Sequence, residues 1–249
     1  MKSFRSFDGL EMSYLDEGDG PLVVLLHGFA SEHQGNWVAP GVVGALLDAG
    51  HRVVAPDARG HGRSAAPHDP DAYSDDAMVR DVHALFDHLG SHEIDLAGYS
   101  MGSIMGATVT TRDDRVRRLV LGGVGGSWRG DQRPQDGAAL AEALEADDPA
   151  SVTNPVAAAF RRFADTTGAD RLALAACQRS SRGSRADVGT ISVPTLVLTG
   201  DRDTLVGSPE ELAARIPGAT SRTLRGTHLS AVADPDFASA IVAFFSPAT

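Results

Sequence analysis

The sequence predicts an α/β protein: a mostly parallel sheet with helices on both faces, interrupted by a helical insert. Three observations carry this reading. Strand-like runs alternate with helix-like runs along most of the chain, the pattern of a parallel sheet covered by helices. The run LVVLL at residues 22–26 is apolar without alternation, as expected for a strand buried on both faces. Residues 127–190 then break the alternation with about 60 residues that contain no strand-like run.

The elements follow in order. Lys2 to Phe7 and Leu10 to Leu15 alternate around Asp8-Gly9, a hairpin signal. Pro21 introduces the LVVLL strand, and Arg52 to Ala55 is a further short strand. Ser74 to Leu89 is the clearest helix, because Met78, Val82, Leu85, Phe86 and Leu89 fall on one face. Ser74 is placed to cap its start and Gly90 to end it. Ile94 to Ala97 is a strand, Met101 to Thr111 a helix, and Leu119 to Leu121 belongs to the next strand. Pro194 introduces a strand at residues 195–199. Ser208-Pro209-Glu210-Glu211 predicts a helix start, with Glu211 closing a capping box. Ser221 to Leu224 is the last strand. Asp234-Pro235 begins a final helix with Phe237, Ile241, Phe244 and Phe245 on its apolar face.

Within residues 127–190, helices are predicted at Gly137 to Ala146, Pro155 to Asp165 and Asp170 to Gln178. We read this stretch as a helical cap, with residues 1–126 and 191–249 forming the core. Ordinary crossover helices are the alternative. Right-handed crossovers would align the loops after the parallel strands along one edge, where ligands bind in such sheets.

The formal net charge of -11 argues against nucleic acid and against an anionic membrane surface, both of which need a basic face. One cysteine, Cys177, cannot form an internal disulfide; it is expected to be buried filling. No run of 18 apolar residues appears, and the start MKSFRSFDG lacks a secretory h-region. The expectation is a cytoplasmic protein acting on a small molecule.

The chemistry centres on Gly98-Tyr99-Ser100-Met101-Gly102, a G-x-S-x-G match between a predicted strand and a predicted helix. A serine at so sharp a turn is held in a strained conformation, and its oxygen projects at a helix N-terminus. The flanking glycines are needed because a side chain there would meet neighbouring backbone. A serine hydroxyl is a poor nucleophile without a base, normally a histidine held by a carboxylate. Of nine histidines only His228 follows Ser100, and it lies just after the last predicted strand. Two carboxylates, Asp201 and Asp203, follow the strand at 195–199, whereas Val124-Gly125-Gly126 offers none. The attack would create an oxyanion that needs fixed donors. The expected donors are the backbone N–H groups of Met101 and of Phe29 in the loop His27-Gly28-Phe29-Ala30.

Together His27-Gly28-Phe29, Asp57-Ala58-Arg59-Gly60-His61-Gly62-Arg63-Ser64, Gly98 to Gly102, Asp203 and His228 resemble the α/β-hydrolase superfamily over nearly the whole chain. The resemblance implies an eight-stranded sheet with a cap inserted after the sixth strand. It implies the order serine, acid, histidine, and it favours Asp203 over Asp201, because the acid stands three residues after the glycine. The Asp57 to Ser64 stretch looks like the family's D-x-R-G-x-G-x-S turn, with Asp57 and Arg59 tying the site loops together. No metal and no cofactor are implied. Serine at the elbow argues against the dehalogenases and epoxide hydrolases of this fold, which use aspartate there.

The leading expectation is a serine hydrolase that cleaves a carboxylic ester, lactone or thioester. The same triad serves carbon–carbon bond hydrolases, perhydrolases and lyases, and some members of the fold are ligand receptors. Trp128, Val206 and Leu229 are expected to contact substrate. Phe160 and Phe163 either line the pocket or pack the cap onto the core.

Overall fold

In the computed structural model, which describes residues 1–74, 76–128, 137–180 and 186–246, the opening hairpin pairs β1 (Lys2–Arg5) with β2 (Glu11–Glu17). Its turn is longer than Asp8-Gly9 alone. The Ser6 N–H donates to the Leu10 carbonyl at 2.9 Å, and Gly9 takes a φ of +86°. The remaining strands are β3 (Leu22–Leu26), β4 (Arg52–Pro56), β5 (Ile94–Tyr99), β6 (Val116–Gly122), β7 (Thr195–Gly200) and β8 (Thr220–Leu224). They form one eight-stranded sheet in the order β1-β2-β4-β3-β5-β6-β7-β8. β2 runs antiparallel to β1 and β4, and every other pairing is parallel.

The helices are α1 (Val42–Asp48), α2 (Ala77–Leu89), α3 (Met101–Thr110), α4 (Gly137–Glu145), α5 (Pro155–Thr167), α6 (Arg171–Arg179), α7 (Pro209–Ala213) and α8 (Pro235–Phe245). β3 explains why both faces are covered. Its side chains alternate, so Val23 and Leu25 join one core with Val42, Val43 and Leu46 of α1 and Phe237, Ile241 and Phe245 of α8. Leu22, Val24 and Leu26 join the other, with Val82, Leu85 and Phe86 of α2 and Ala107 of α3. Cys177 is buried in this second core.

Three local expectations change. Ser74 does not cap α2; it ends a 3-10 turn at Pro70–Tyr73, whose own cap Asp69 accepts from the Asp71 N–H at 3.0 Å. Glu211 does not close a capping box. Its carboxylate lies against Gly126, and the Ser208 hydroxyl donates to Glu210 instead. α1 was not anticipated, although Val42, Val43 and Leu46 form its buried stripe.

Helices α4, α5 and α6 stand between β6 and β7, at the expected positions to within two residues. Residues 129–136 and 181–185 of the expected insert lie outside the described residues. Asn154 caps α5, accepting from the N–H groups of Val156 and Ala157 at 3.0 Å each. Arg161 of α5 is buried and donates to the carbonyls of Ala143 and Ala146 at 2.8 and 2.6 Å. A cation thus satisfies the negative C-terminal end of α4.

Candidate active site

β5 ends at Tyr99 and α3 begins at Met101, so Ser100 alone makes the turn between strand and helix. Its backbone sits at φ 50°, ψ −108°, a region that costs a non-glycine residue about 1–3 kcal/mol. The surroundings enforce it. The Ser100 N–H donates to the Gly122 carbonyl at 2.8 Å, and the Ser103 hydroxyl lies 2.9 Å from the Gly98 carbonyl and 2.7 Å from that of Gly122. A Cβ on Gly98 would come within 2.3 Å of the Gly102 carbonyl oxygen, and one on Gly102 within 2.0 Å of that of Leu26. Both glycines of the motif are therefore required by close backbone approach.

The parallel strands bring three loops to the same edge. His228, beyond β8, and Asp203, beyond β7, meet Ser100 in a continuous chain. His228 Nε2 lies 2.9 Å from Ser100 Oγ, and His228 Nδ1 lies 2.8 Å from Asp203 Oδ2. An ionised carboxylate only accepts, so Nδ1 carries the proton and Nε2 presents its lone pair to the hydroxyl. The Asp203 carboxylate is fully buried, and its Oδ1 accepts from the Leu205 N–H at 3.1 Å. Asp201 is exposed and faces the other way. Its Oδ1 accepts from the Gly226 N–H at 2.8 Å, which braces the loop leading to His228. Tyr99 donates its hydroxyl to the His228 carbonyl at 2.7 Å; burial pushes the phenol's pKa up, so it stays a donor. Sequence reasoning missed this brace, although Tyr99 lies inside the motif.

Phe29 and Met101, the expected oxyanion donors, flank Ser100 on the β3 loop and at the start of α3. Among the described residues neither backbone N–H donates to a protein acceptor. Phe29, Ser100 and His228 line one cavity of about 80 Å³. Phe160 and Phe163 of α5 line it as well, and both also pack against the core, so the two readings of these residues coincide. The Phe160 ring meets Phe29 and His228 edge-on, with centroids 6.0 and 6.5 Å apart.

Leu229, expected to contact substrate, lines the cavity. Trp128 and Val206 do not. Trp128 is buried in the core, where its carbonyl accepts from Arg215. The Val206 carbonyl accepts from the Ser127 N–H at 2.9 Å, tying its loop to the start of the insert. Asn36, Ser31 and Val232 line the cavity and were not singled out beforehand. Asn36 sits in a π-helical turn, Gln34–Val38, that no periodicity announced.

A model of the alpha/beta hydrolase fold family matches residues 21–176. The chain belongs to this family. A haloalkane dehalogenase of Mycolicibacterium paratuberculosis is 41% identical over 115 residues, 45% of this chain but 37% of that protein. The chain thus spans little more than a third of that relative's length. A putative non-heme chloroperoxidase of Synechocystis is 30% identical over 243 residues, covering 84% of this chain and 83% of that one. An enol-lactonase structure from Burkholderia xenovorans LB400 superposes with a TM-score of 0.81 at 25% identity, covering 99% of this chain and 100% of that one.

In this α/β hydrolase the Asp57 turn is tied to the loop that carries His33. Buried Asp57 accepts from the His33 N–H and ring and from the Arg63 N–H. Burial opposes its ionisation, but these bonds outweigh it and hold the carboxyl below the usual range. Arg59 pairs with Asp81 of α2 at 2.6 Å and with Asp8 at 2.9 Å, so it anchors the turn to the hairpin and α2 rather than to Asp57. Glu32, His33 and Asp57 bring their ligand-type atoms within 4.8 Å of one another. Those atoms are engaged: Glu32 accepts from the Gln34 and Gly35 N–H groups, and His33 Nδ1 is spent on Asp57. The donor set fits a hydrogen-bonded brace better than a metal. Among the described residues no helix is long and apolar enough to cross a membrane.

Proposed function

We propose that the protein is a serine hydrolase that cleaves a carboxylic ester, lactone or thioester through an acyl-enzyme on Ser100. The observation that carries this reading is the unbroken Asp203–His228–Ser100 hydrogen-bonded chain. Ser100 Oγ attacks the carbonyl carbon while His228 Nε2 takes the hydroxyl proton, and Asp203 stabilises the imidazolium. The backbone N–H groups of Phe29 and Met101 receive the oxyanion. Collapse expels the alcohol, enol or thiol, which receives the proton from His228. Water, deprotonated by His228, then attacks the acyl-enzyme and releases the acid.

A carbonyl substrate also follows from the nucleophile. Attack by Ser100 at a saturated carbon, as in dehalogenation, would leave an ether with no carbonyl through which water could release it. The similarity to an enol-lactonase over the whole chain supports a carbonyl substrate. Helices α4 to α6 serve as a cap that shapes the acyl site through Phe160 and Phe163 of α5.

A second reading follows from the chloroperoxidase-named relative. Hydrogen peroxide in place of water would convert the acyl-enzyme to a peracid and free serine. Hydrolysis of p-nitrophenyl acetate and butyrate, with fluorophosphonate labelling lost in Ser100→Ala, tests the main reading. No turnover across short esters, lactones and thioesters would overturn it. Peracid formation from acetate esters and peroxide, exceeding hydrolysis, would favour the second.

A further inference from the structure

Asn36 brings to the cavity a polar group that the protein's own bonds leave over. Its carboxamide is oriented by Gly28, whose N–H donates to Oδ1 at 2.9 Å. Nδ2 therefore occupies the other branch, and it is buried with no hydrogen-bond acceptor among the described residues. Asn36 is 4% exposed and lines the cavity of Ser100 and His228. Buried donors without acceptors are rare in folded proteins and call for an explanation. Trp37 Nε1 and His51 Nδ1 share the condition, but neither residue lines this cavity. The cavity is several times the space one water needs, so it accommodates a short substrate.

We infer that Asn36 Nδ2 is a substrate-binding donor that recognises a second, neutral oxygen on the acyl side of the substrate, close to the scissile carbonyl. The inference rests on the acyl-enzyme reading above. The acyl side follows from the roles at the site. The leaving group must face His228, which protonates it, whereas Asn36 is tied to the Gly28–Phe29 loop that holds the oxyanion donor. Neutrality follows from the lining, which among the described residues contains no lysine or arginine. A carboxylate would lose its hydration there and gain one neutral amide in exchange. The substrate class is a short acyl ester or lactone bearing a keto, ether or hydroxyl oxygen near the carbonyl.

The test compares near-isosteric pairs. p-Nitrophenyl methoxyacetate differs from the butyrate by one oxygen in place of a methylene, and the levulinate differs from 4-methylpentanoate by a keto oxygen in place of a methyl. kcat/KM is measured on each pair for the wild type and Asn36→Ala. Intrinsic ester reactivity cancels between the two proteins. Losing the Gly28 anchor lowers both members of a pair alike, whereas losing Nδ2 lowers only the oxygenated one. For at least one pair, the oxygenated-to-plain ratio should fall about tenfold in Asn36→Ala, the size of one hydrogen bond. Unchanged ratios in both pairs would overturn the inference and leave the acyl-enzyme reading standing. Should Asn36→Ala not fold, the wild-type ratio divided by the ratio of hydroxide-catalysed rates serves instead. A value of about ten supports the inference, and a value near one in both pairs overturns it. Absence of any ester turnover and of fluorophosphonate labelling would sink both readings together.

Discussion

The C-terminal edge of the sheet and the helices α4 to α6 are built on opposite plans. At the edge every proposed reacting group sits on a loop between a parallel strand and the next helix, fixed by close backbone contacts. Ser100 is wedged between glycines, and His228 is held by Asp203 on one side and by the Tyr99 hydroxyl on its carbonyl. In residues 127–190 alanine is the most frequent residue, 15 of 64, and buried Arg161 ties α4 to α5. Reaction chemistry needs positions exact to a fraction of an ångström, which strands supply. The insert contributes only Phe160 and Phe163 to the described cavity lining, and those positions tolerate more repacking.

The largest effect that would break this contrast lies in the acid. Asp203→Asn should lower kcat about 10⁴-fold by favouring the wrong imidazole tautomer, with little change in stability. Asp201→Asn should leave kcat close to wild type, because an asparagine oxygen still accepts from Gly226. A larger loss in Asp201→Asn than in Asp203→Asn, measured on one ester, would reverse their assignment.

Next comes the backbone. Gly102→Ala drives a methyl to 2.0 Å from the Leu26 carbonyl oxygen and should cost more than about 3 kcal/mol in urea unfolding. Gly44→Ala in α1, where nothing lies within 4 Å, should instead stabilise by up to about 1 kcal/mol.

A local effect is expected in the insert. Arg161→Met strands the Ala143 carbonyl, leaves the Ala146 carbonyl only its longer bond from Arg171, and should loosen α4 and α5 by about 2–4 kcal/mol. Hydrogen exchange should accelerate in those helices and not in β5. KM for branched esters should shift while fluorophosphonate labelling of Ser100 persists.

The smallest effect concerns the junction of insert and core. Asp170 caps α6 and lies 2.9 Å from His68. Burial opposes its ionisation, but the bonds from His68 and from the Ala173 and Leu172 N–H groups hold its pKa below 3.8. Because the folded value is depressed, this stabilisation is complete above the ordinary carboxylate pKa and is lost as pH falls through the folded value. The Tm advantage of wild type over Asp170→Asn should therefore shrink as the pH falls from about 5 to about 2. An advantage that stays constant across that range would remove the charge from the account.

Much of the site was legible because the motif carries its own geometry. A serine between two glycines, after an apolar run and before a helix, has few other places to go. His228 was legible because no other histidine follows Ser100. Between Asp201 and Asp203 the residues alone left the choice open. The fold separates them because one carboxylate turns inward to His228 and the other outward to Gly226. Trp128 and Val206 lie outside the described cavity lining for a related reason. Nearness in sequence to the insert or to the acid says nothing of where a side chain or carbonyl is recruited.

What the sequence determined by itself was periodicity and punctuation: eight short strands, the helices between them other than α1, the strained serine and the order of the reacting residues. These are local, set by side-chain spacing and by the steric demands of glycine and proline. The tertiary structure alone decided which groups converge. It left the Asn36 amide with a spare donor at the cavity wall and turned Phe160 toward His228. Those outcomes depend on how elements far apart in the chain pack together, and no local pattern encodes that.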